Sequence, residues 1–255
     1  MQRRNLAVWS LLVLCISGCL SPVTTGPEET VSQIESTEVV YFANTKGFLA
    51  RPVNAPSAPG IVLIHEWWGL NPQMKSTAEK IAAEGFSVLA VDLFHGEIAL
   101  DANRARQLSS SVDANEGIAH LKAAVAFLKS NEQSPRVGVW GYCFGGGQAM
   151  QFTVSDDPPD ASVIYYGNVV TDEELLKKTR GPILGIFGEL DTSIPVSRVE
   201  EFRTALQLAD VDANVIVYPA VGHAFANPSN PNFAPGPTAD AWEKTVAFLR
   251  KSLVP

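Results

Sequence analysis

Apolar residues along this chain gather in short unbroken runs, and between the runs they recur every three or four positions. The runs at 39–42, 48–53, 61–65, 86–91, 137–140, 161–166, 183–187 and 215–218 have the length of strands. Several are rich in Val and Ile and do not alternate with polar residues, the pattern of strands buried on both faces. Residues 74–84 show helical spacing and stop at Gly85, a residue suited to the left-handed turn that ends a helix. Residues 115–129, 197–209 and 239–253 read the same way. Strands alternating with helices through short loops predict an α/β fold, a mostly parallel central sheet flanked by helices on both faces. No helix separates the first two strands, so they are expected to form an antiparallel edge. No internal repeat and no second domain is visible.

The first 18 residues follow a different pattern. Arg3 and Arg4 precede an uncharged, mostly apolar run at 6–16. A bilayer-spanning helix needs about 20 such residues, so the run is too short to span. It ends in Ile16-Ser17-Gly18-Cys19, which resembles a bacterial lipoprotein box. The expectation is a signal peptide at 1–18, lipid on Cys19, and a domain held outside the cytoplasm at a membrane of the bacterial cell envelope. A secretory signal cleaved nearby and a retained anchor are the alternatives. Residues 19–38 are rich in Ser, Thr, Pro and Glu and read as the lipidated cysteine and a flexible tether. That leaves 39–255 as one folded domain, expected to be a monomer.

Composition narrows the function. The 255 residues are 46% hydrophobic, enough for one sizeable core. A net charge of −8 and a pI near 5.0 speak against a nucleic-acid partner, which needs a basic face. Removing 1–18 takes away two Arg and no acid, so −8 becomes −10. Of the three cysteines, Cys15 leaves with the signal and Cys19 would be acylated. Cys143 is then the sole thiol, and no internal disulfide can form.

The strongest chemical signal is Gly141-Tyr142-Cys143-Phe144-Gly145-Gly146-Gly147, directly after a strand and opening a helix. This is a nucleophile elbow with Cys in place of Ser. The nucleophile sits on a sharp turn whose neighbours must be small, and the turn aims the side chain above the sheet. The Phe144 amide points the same way, and the helix start favours a thiolate. A buried structural cysteine beside packing glycines is the competing reading, weakened by the strand–turn–helix context. An unperturbed thiol is only about 3% ionised at pH 7 and needs a base. Of the four histidines, His120 lies among Ala and Leu in a helix and reads as a surface or boundary residue. His223 follows the last strand, and Asp191 follows the strand before it. The order Cys143, Asp191, His223 is the nucleophile–acid–base order of α/β hydrolases. Glu189 is the second choice for the acid. The loop after the third strand, His65-Glu66-Trp67-Trp68-Gly69, supplies a second oxyanion amide, assigned to Trp67. Glu66 falls beside Cys143, and Trp68 reads as core packing.

The segments IVLIHEWWGLNPQM, VLAVDLFHGE, VGVWGYCFGGGQA, YYG, ILGIFGELDTSIP, VYPAVGHAFAN and AWEKTVAFL together resemble the dienelactone hydrolase family, the cysteine branch of the α/β hydrolases. The resemblance implies the α/β-hydrolase fold and a triad of Cys143, Asp191 and His223. It implies a Glu66 that interacts with the resting thiol, and hydrolysis of esters or lactones through an acyl-cysteine, with no metal and no cofactor. It places Tyr165 and Tyr166 near the cleft. Members that cleave dienelactone hold its carboxylate with two arginines, and here those positions are Gly96 and Asn227. With Asn227 in a substrate-contacting place, the expected substrate is a small neutral ester or lactone, unless Arg104 or Arg106 substitutes. A non-catalytic envelope binding protein, a thiol-redox role without a second cysteine, and acyl transfer at the same site are the other classes.

Overall fold

The computed structural model describes residues 33–254, all within one folded unit. The segment 1–18, Cys19 and the tether up to residue 32 lie outside the described residues. Eight strands form one sheet: β1 (Ile34–Phe42), β2 (Thr45–Pro52), β3 (Gly60–Ile64), β4 (Ser87–Val91), β5 (Val137–Tyr142), β6 (Ala161–Tyr165), β7 (Ile183–Gly188) and β8 (Ala213–Tyr218). Their spatial order is β1-β2-β4-β3-β5-β6-β7-β8. β1 and β2 are antiparallel, as is β2 against β4, and every later pairing is parallel. The antiparallel edge and the parallel interior thus follow the expectation.

Helices cover both faces. α1 (Pro72–Ala83) and α7 (Pro235–Leu253) pack on one side, where Met74, Ile81, Leu249 and Leu253 meet Ile61, Leu63, Trp140 and Tyr165. α2 (Ala102–Ser111), α3 (Ala114–Asn131), α4 (Phe144–Thr153) and α6 (Val196–Leu208) pack on the other, against Val62, Ile64, Val139 and Ile164. A one-turn α5 (Glu173–Leu176) precedes β7. The period-2 alternation of β5 is what divides the layers. Val137 and Val139 point to one face, and Trp140 and Tyr142 to the other. Helix starts are set locally: the side chains of Asn71, Asp101 and Asp113 accept hydrogen bonds from the first-turn amides of α1, α2 and α3.

Three expectations change. The sheet takes up the chain at Ile34, five residues before the expected domain start, because residues 34–38 pair through backbone with 48–52. Their side chains are mostly exposed, so no apolar pattern marks the strand. Second, α2 was not expected: only Ala105 and Leu108 are buried on it, too few for a readable stripe. Third, His120 is buried, at 1% exposure, rather than on the surface.

Candidate active site

The chemistry gathers at the carboxyl ends of β3, β5, β7 and β8, where open α/β sheets place their ligands. Cys143 follows β5 with φ 54° and ψ −115°, a region that strains any residue with a Cβ. Its amide donates to the Tyr165 carbonyl at 3.0 Å, and its carbonyl accepts from Gly147 N at 3.1 Å. The turn closes only because its neighbours lack side chains. A Cβ on Gly141 would lie 2.0 Å from the Gly145 carbonyl oxygen, and one on Gly145 would lie 2.5 Å from the carbonyl oxygens of Ile64 and His65. The glycines therefore let α4 start directly against the end of β3.

The three triad candidates meet in a row. Cys143 Sγ lies 3.1 Å from His223 Nε2, and His223 Nδ1 donates to Asp191 Oδ2 at 2.7 Å. Asp191 is buried, and its Oδ1 accepts from the amides of Ser193 and Ile194 at 2.8 and 3.0 Å. Those amides fix the carboxylate without using the oxygen that faces the imidazole. The His223 loop is tied to the Asp191 loop by Leu190 N donating to the Val221 carbonyl at 2.9 Å, and Asn232 Nδ2 donates to the His223 carbonyl at 2.9 Å. Burial works to lower the His223 pKa. The hydrogen bonds and charges of Asp191 and Cys143 outweigh it and push the imidazole up to about 10.

A cleft of about 680 Å³ opens over Cys143, with Trp67, Phe144, Tyr166 and His223 in its walls. Phe144 and Trp67 both line this cleft, and among the described residues neither backbone amide donates to a protein acceptor. His65 holds the Trp67 loop in place. It is fully buried, its Nδ1 donates to the Glu66 carbonyl at 2.6 Å, and its Nε2 accepts from Leu93 N at 3.2 Å. Burial lowers its pKa, which suits the neutral tautomer these two bonds require.

Glu66 is placed beside the cleft but not on the thiol. Its Oε1 accepts from Tyr166 OH at 3.3 Å and its Oε2 from Asn227 Nδ2. The resting sulfur is paired with His223 instead. Burial holds the Glu66 carboxyl above its ordinary pKa, against the opposing effects of Asn227, His223 and Tyr166. Asn227 is itself buried, and its Oδ1 accepts from Ser229 N, so its amide is committed within the protein. It lines a second hollow of about 450 Å³ near α1 and α7, not the Cys143 cleft. Tyr165 lines the same hollow, with its hydroxyl bonded to Thr245 Oγ1 at 2.8 Å. Tyr166, at φ 37°, borders both spaces and sets its ring 5.2 Å from that of His223. Of the tyrosine pair, Tyr166 thus stands at the cleft and Tyr165 in the core.

Trp68 is half-buried: it packs against the core, as expected, and also lines the cleft. The polar wall formed by Gln148, Gln151 and Asn168 was not anticipated. Gln148 and Gln151, three residues apart on α4, line the same cleft as Cys143, a spacing readable from the elbow. Arg104 pairs with Glu97 on the surface, Arg106 is exposed, and among the described residues no Lys or Arg lines the cleft.

A nucleophile elbow, an Asp–His pair and this sheet order define an α/β hydrolase. The match of residues 45–253 to the model of the dienelactone hydrolase family makes the membership specific: the chain belongs to that family and is a hydrolase of it. It is 34% identical over 218 residues to the protein named usf of Aquifex pyrophilus, covering 82% of this chain and 94% of that one. A Methylorubrum extorquens protein with a provisional carboxymethylenebutenolidase name is 27% identical over 220 residues, covering 80% and 76% of the two chains. Among solved structures, a Klebsiella pneumoniae protein provisionally titled a dienelactone hydrolase superposes with a TM-score of 0.77 at 24% identity. That likeness covers 84% of this chain and 98% of the other, and it concerns the fold.

Proposed function

We propose that this chain cleaves carboxylic ester or lactone bonds through an acyl-cysteine on Cys143, with His223 as base and acid and Asp191 as its orienting carboxylate. The observation that carries the proposal is the row Cys143 Sγ, His223 Nε2, His223 Nδ1, Asp191 Oδ2, at 3.1 and 2.7 Å, beside two unbonded amides. His223 Nε2 takes the thiol proton, and the sulfur attacks the carbonyl carbon. The developing oxyanion is held by the Phe144 and Trp67 amides, each donor of this kind contributing about 2.7–4 kcal/mol. Collapse breaks the C–O bond, and the imidazolium gives its proton to the leaving alkoxide. In a lactone that alcohol stays tethered to the acyl group. Water then attacks the thioester, His223 takes its proton, the C–S bond breaks, and the thiol recovers its proton from the imidazolium. Transfer of the acyl group to another acceptor uses the same steps.

The absence of Lys and Arg from the described cleft wall supports a neutral substrate. A charge-assisted hydrogen bond contributes about 1.5–3 kcal/mol, so an anionic ester forgoes roughly ten- to a hundredfold here. Localisation rests on the sequence: the Ile16-Ser17-Gly18-Cys19 box supports a lipid anchor on Cys19 in a bacterial envelope.

The test is a panel of neutral and anionic esters and lactones, assayed with and without iodoacetamide and with Cys143→Ala. Neutral substrates should turn over, and alkylation or the substitution should abolish that turnover. Substantial hydrolysis by Cys143→Ala would remove the nucleophile assignment, and a preference for anions would remove the neutral-substrate reading.

A further inference from the structure

Away from the triad, the loop after β4 and the first turns of α3 bring His95, Glu116 and His120 together. One ligand atom from each lies within 4.8 Å of the other two, the group of this kind found among the described residues. Glu116 and His120 are four residues apart and share one face of α3, and His95 reaches them from the loop. That loop is shaped by Asp92, whose carboxylate accepts from the amides of Phe94 and Gly96, and His95 takes a left-handed φ of 53° within it. Glu116 Oε1 lies 3.4 Å from His95 Nε2 and 3.9 Å from His120 Nε2.

The telling atom is His120 Nε2. It is buried and has no hydrogen-bond partner. The other ring nitrogen is already engaged: Tyr41 OH, which also reaches the Asp92 carbonyl at 3.4 Å, lies 2.7 Å from His120 Nδ1. Nε2 is the nitrogen left over, and it faces the Glu116 carboxylate. At His95, Nδ1 lies 3.2 Å from Thr45 Oγ1, which leaves Nε2 turned to Glu116. Each imidazole is thus steadied through the nitrogen that does not face the carboxylate, the arrangement usual in histidine metal sites.

We propose that His95, Glu116 and His120 form a binding site for a divalent transition cation of the zinc class, separate from the catalytic row. Two imidazoles and a carboxylate suit such ions, and the hollow of about 160 Å³ bordered by all three side chains leaves room for a water as fourth ligand. Two donors each about 2.0–2.1 Å from a tetrahedral ion are roughly 3.4 Å apart. The Glu116–His95 separation already has that value, and the remaining contraction comes from His95 and Glu116, whose side chains are 56% and 48% exposed. The bound ion clips the β4–α2 loop to α3. The ring of Phe94, next to His95, lies 5.5 Å from that of Phe144 in the cleft wall, so the clip also steadies that wall.

The test uses the full chain, stripped with EDTA, desalted, and alkylated with iodoacetamide so that no thiol binds metal. Titration with zinc sulfate in a calorimeter should show one equivalent bound with a roughly micromolar Kd. Cobalt(II) at the same site should give the visible absorption of a four-coordinate ion. His95→Ala and Glu116→Gln, at exposed positions that leave the fold intact, should each weaken zinc binding about tenfold or more. They should also abolish the rise in melting temperature that zinc gives the parent. No zinc binding by the alkylated parent overturns the proposal, and so does binding that neither substitution weakens.

Discussion

Asp191→Asn gives the sharpest test of how the triad is wired. The two oxygens of Asp191 have separate duties: Oδ1 accepts from the Ser193 and Ile194 amides, and Oδ2 accepts from His223 Nδ1. An asparagine must keep its carbonyl oxygen toward the two turn amides, because reversing the group would set its NH2 against two donors. Its NH2 then faces Nδ1. The imidazole can accept that proton only by moving its own to Nε2, the atom 3.1 Å from Cys143 Sγ. His223 is then unable to take the thiol proton. In serine enzymes this change of tautomer lowers kcat about 10⁴-fold, equivalent to about 5.5 kcal/mol in the barrier. A fall of about 10³- to 10⁴-fold in kcat is expected here, with KM little changed. The pH profile moves as well. On the proposed mechanism the imidazolium protonates the leaving group, and with its pKa pushed up to about 10 it should persist in the parent across most of the assay range. Without the carboxylate, burial acts with less opposition, and the alkaline limb should shift downward toward 6.5. Stability follows the same sign. The raised His223 pKa contributes fully below about 6.5 and is lost as pH rises through about 10, so the substitution flattens that dependence. The assay is kcat and KM on a neutral p-nitrophenyl ester from pH 6 to 10, with melting curves alongside. Retention of a tenth or more of kcat with an unmoved alkaline limb would refute the wiring.

Three further outcomes are expected. Gly145→Ala drives a Cβ to 2.5 Å from two backbone oxygens and should lower stability by about 3 kcal/mol or more, read from denaturant melts. Gly147→Ala, where a Cβ meets Asn168 at an ordinary 3.5 Å, should be neutral or gain up to about 1 kcal/mol from helix propensity, so equal losses at both positions would contradict the elbow geometry. Glu66→Gln can keep its oxygen toward Asn227 Nδ2 but turns an NH2 to Tyr166 OH, which must then accept instead of donate, and should change stability by no more than about 1 kcal/mol at neutral pH. Because burial raises the Glu66 pKa, the native state binds this proton more tightly than the unfolded chain, and parent stability should decline as pH climbs above 4.5; the glutamine variant should lack that decline.

Much of this molecule is local and therefore readable in order along the chain. The unalternating apolar runs and the helical spacings locate the interior strands β3–β7 and the longer helices, since burial on two faces leaves that pattern in the residues themselves. The elbow is readable because a turn with Cys143 at φ 54° needs glycine at 141 and 145 whatever else the protein contains. The order Cys143, Asp191, His223 is readable because each follows a strand, and parallel strands bring their carboxyl ends to one edge. What the tertiary structure alone decided is which groups meet through space. Glu66 turned to Asn227, 161 residues away, instead of to the neighbouring thiol. That choice depends on which donors face the carboxylate once the loops after β3 and β8 are packed. The polar start of β1 and the thin apolar stripe of α2 were hidden for the same reason, since backbone pairing and two buried residues write almost nothing into the sequence. His120 reads as an ordinary helix residue until Tyr41 and the loop carrying His95 close over it, and its unpartnered Nε2 acquires a meaning only from what surrounds it.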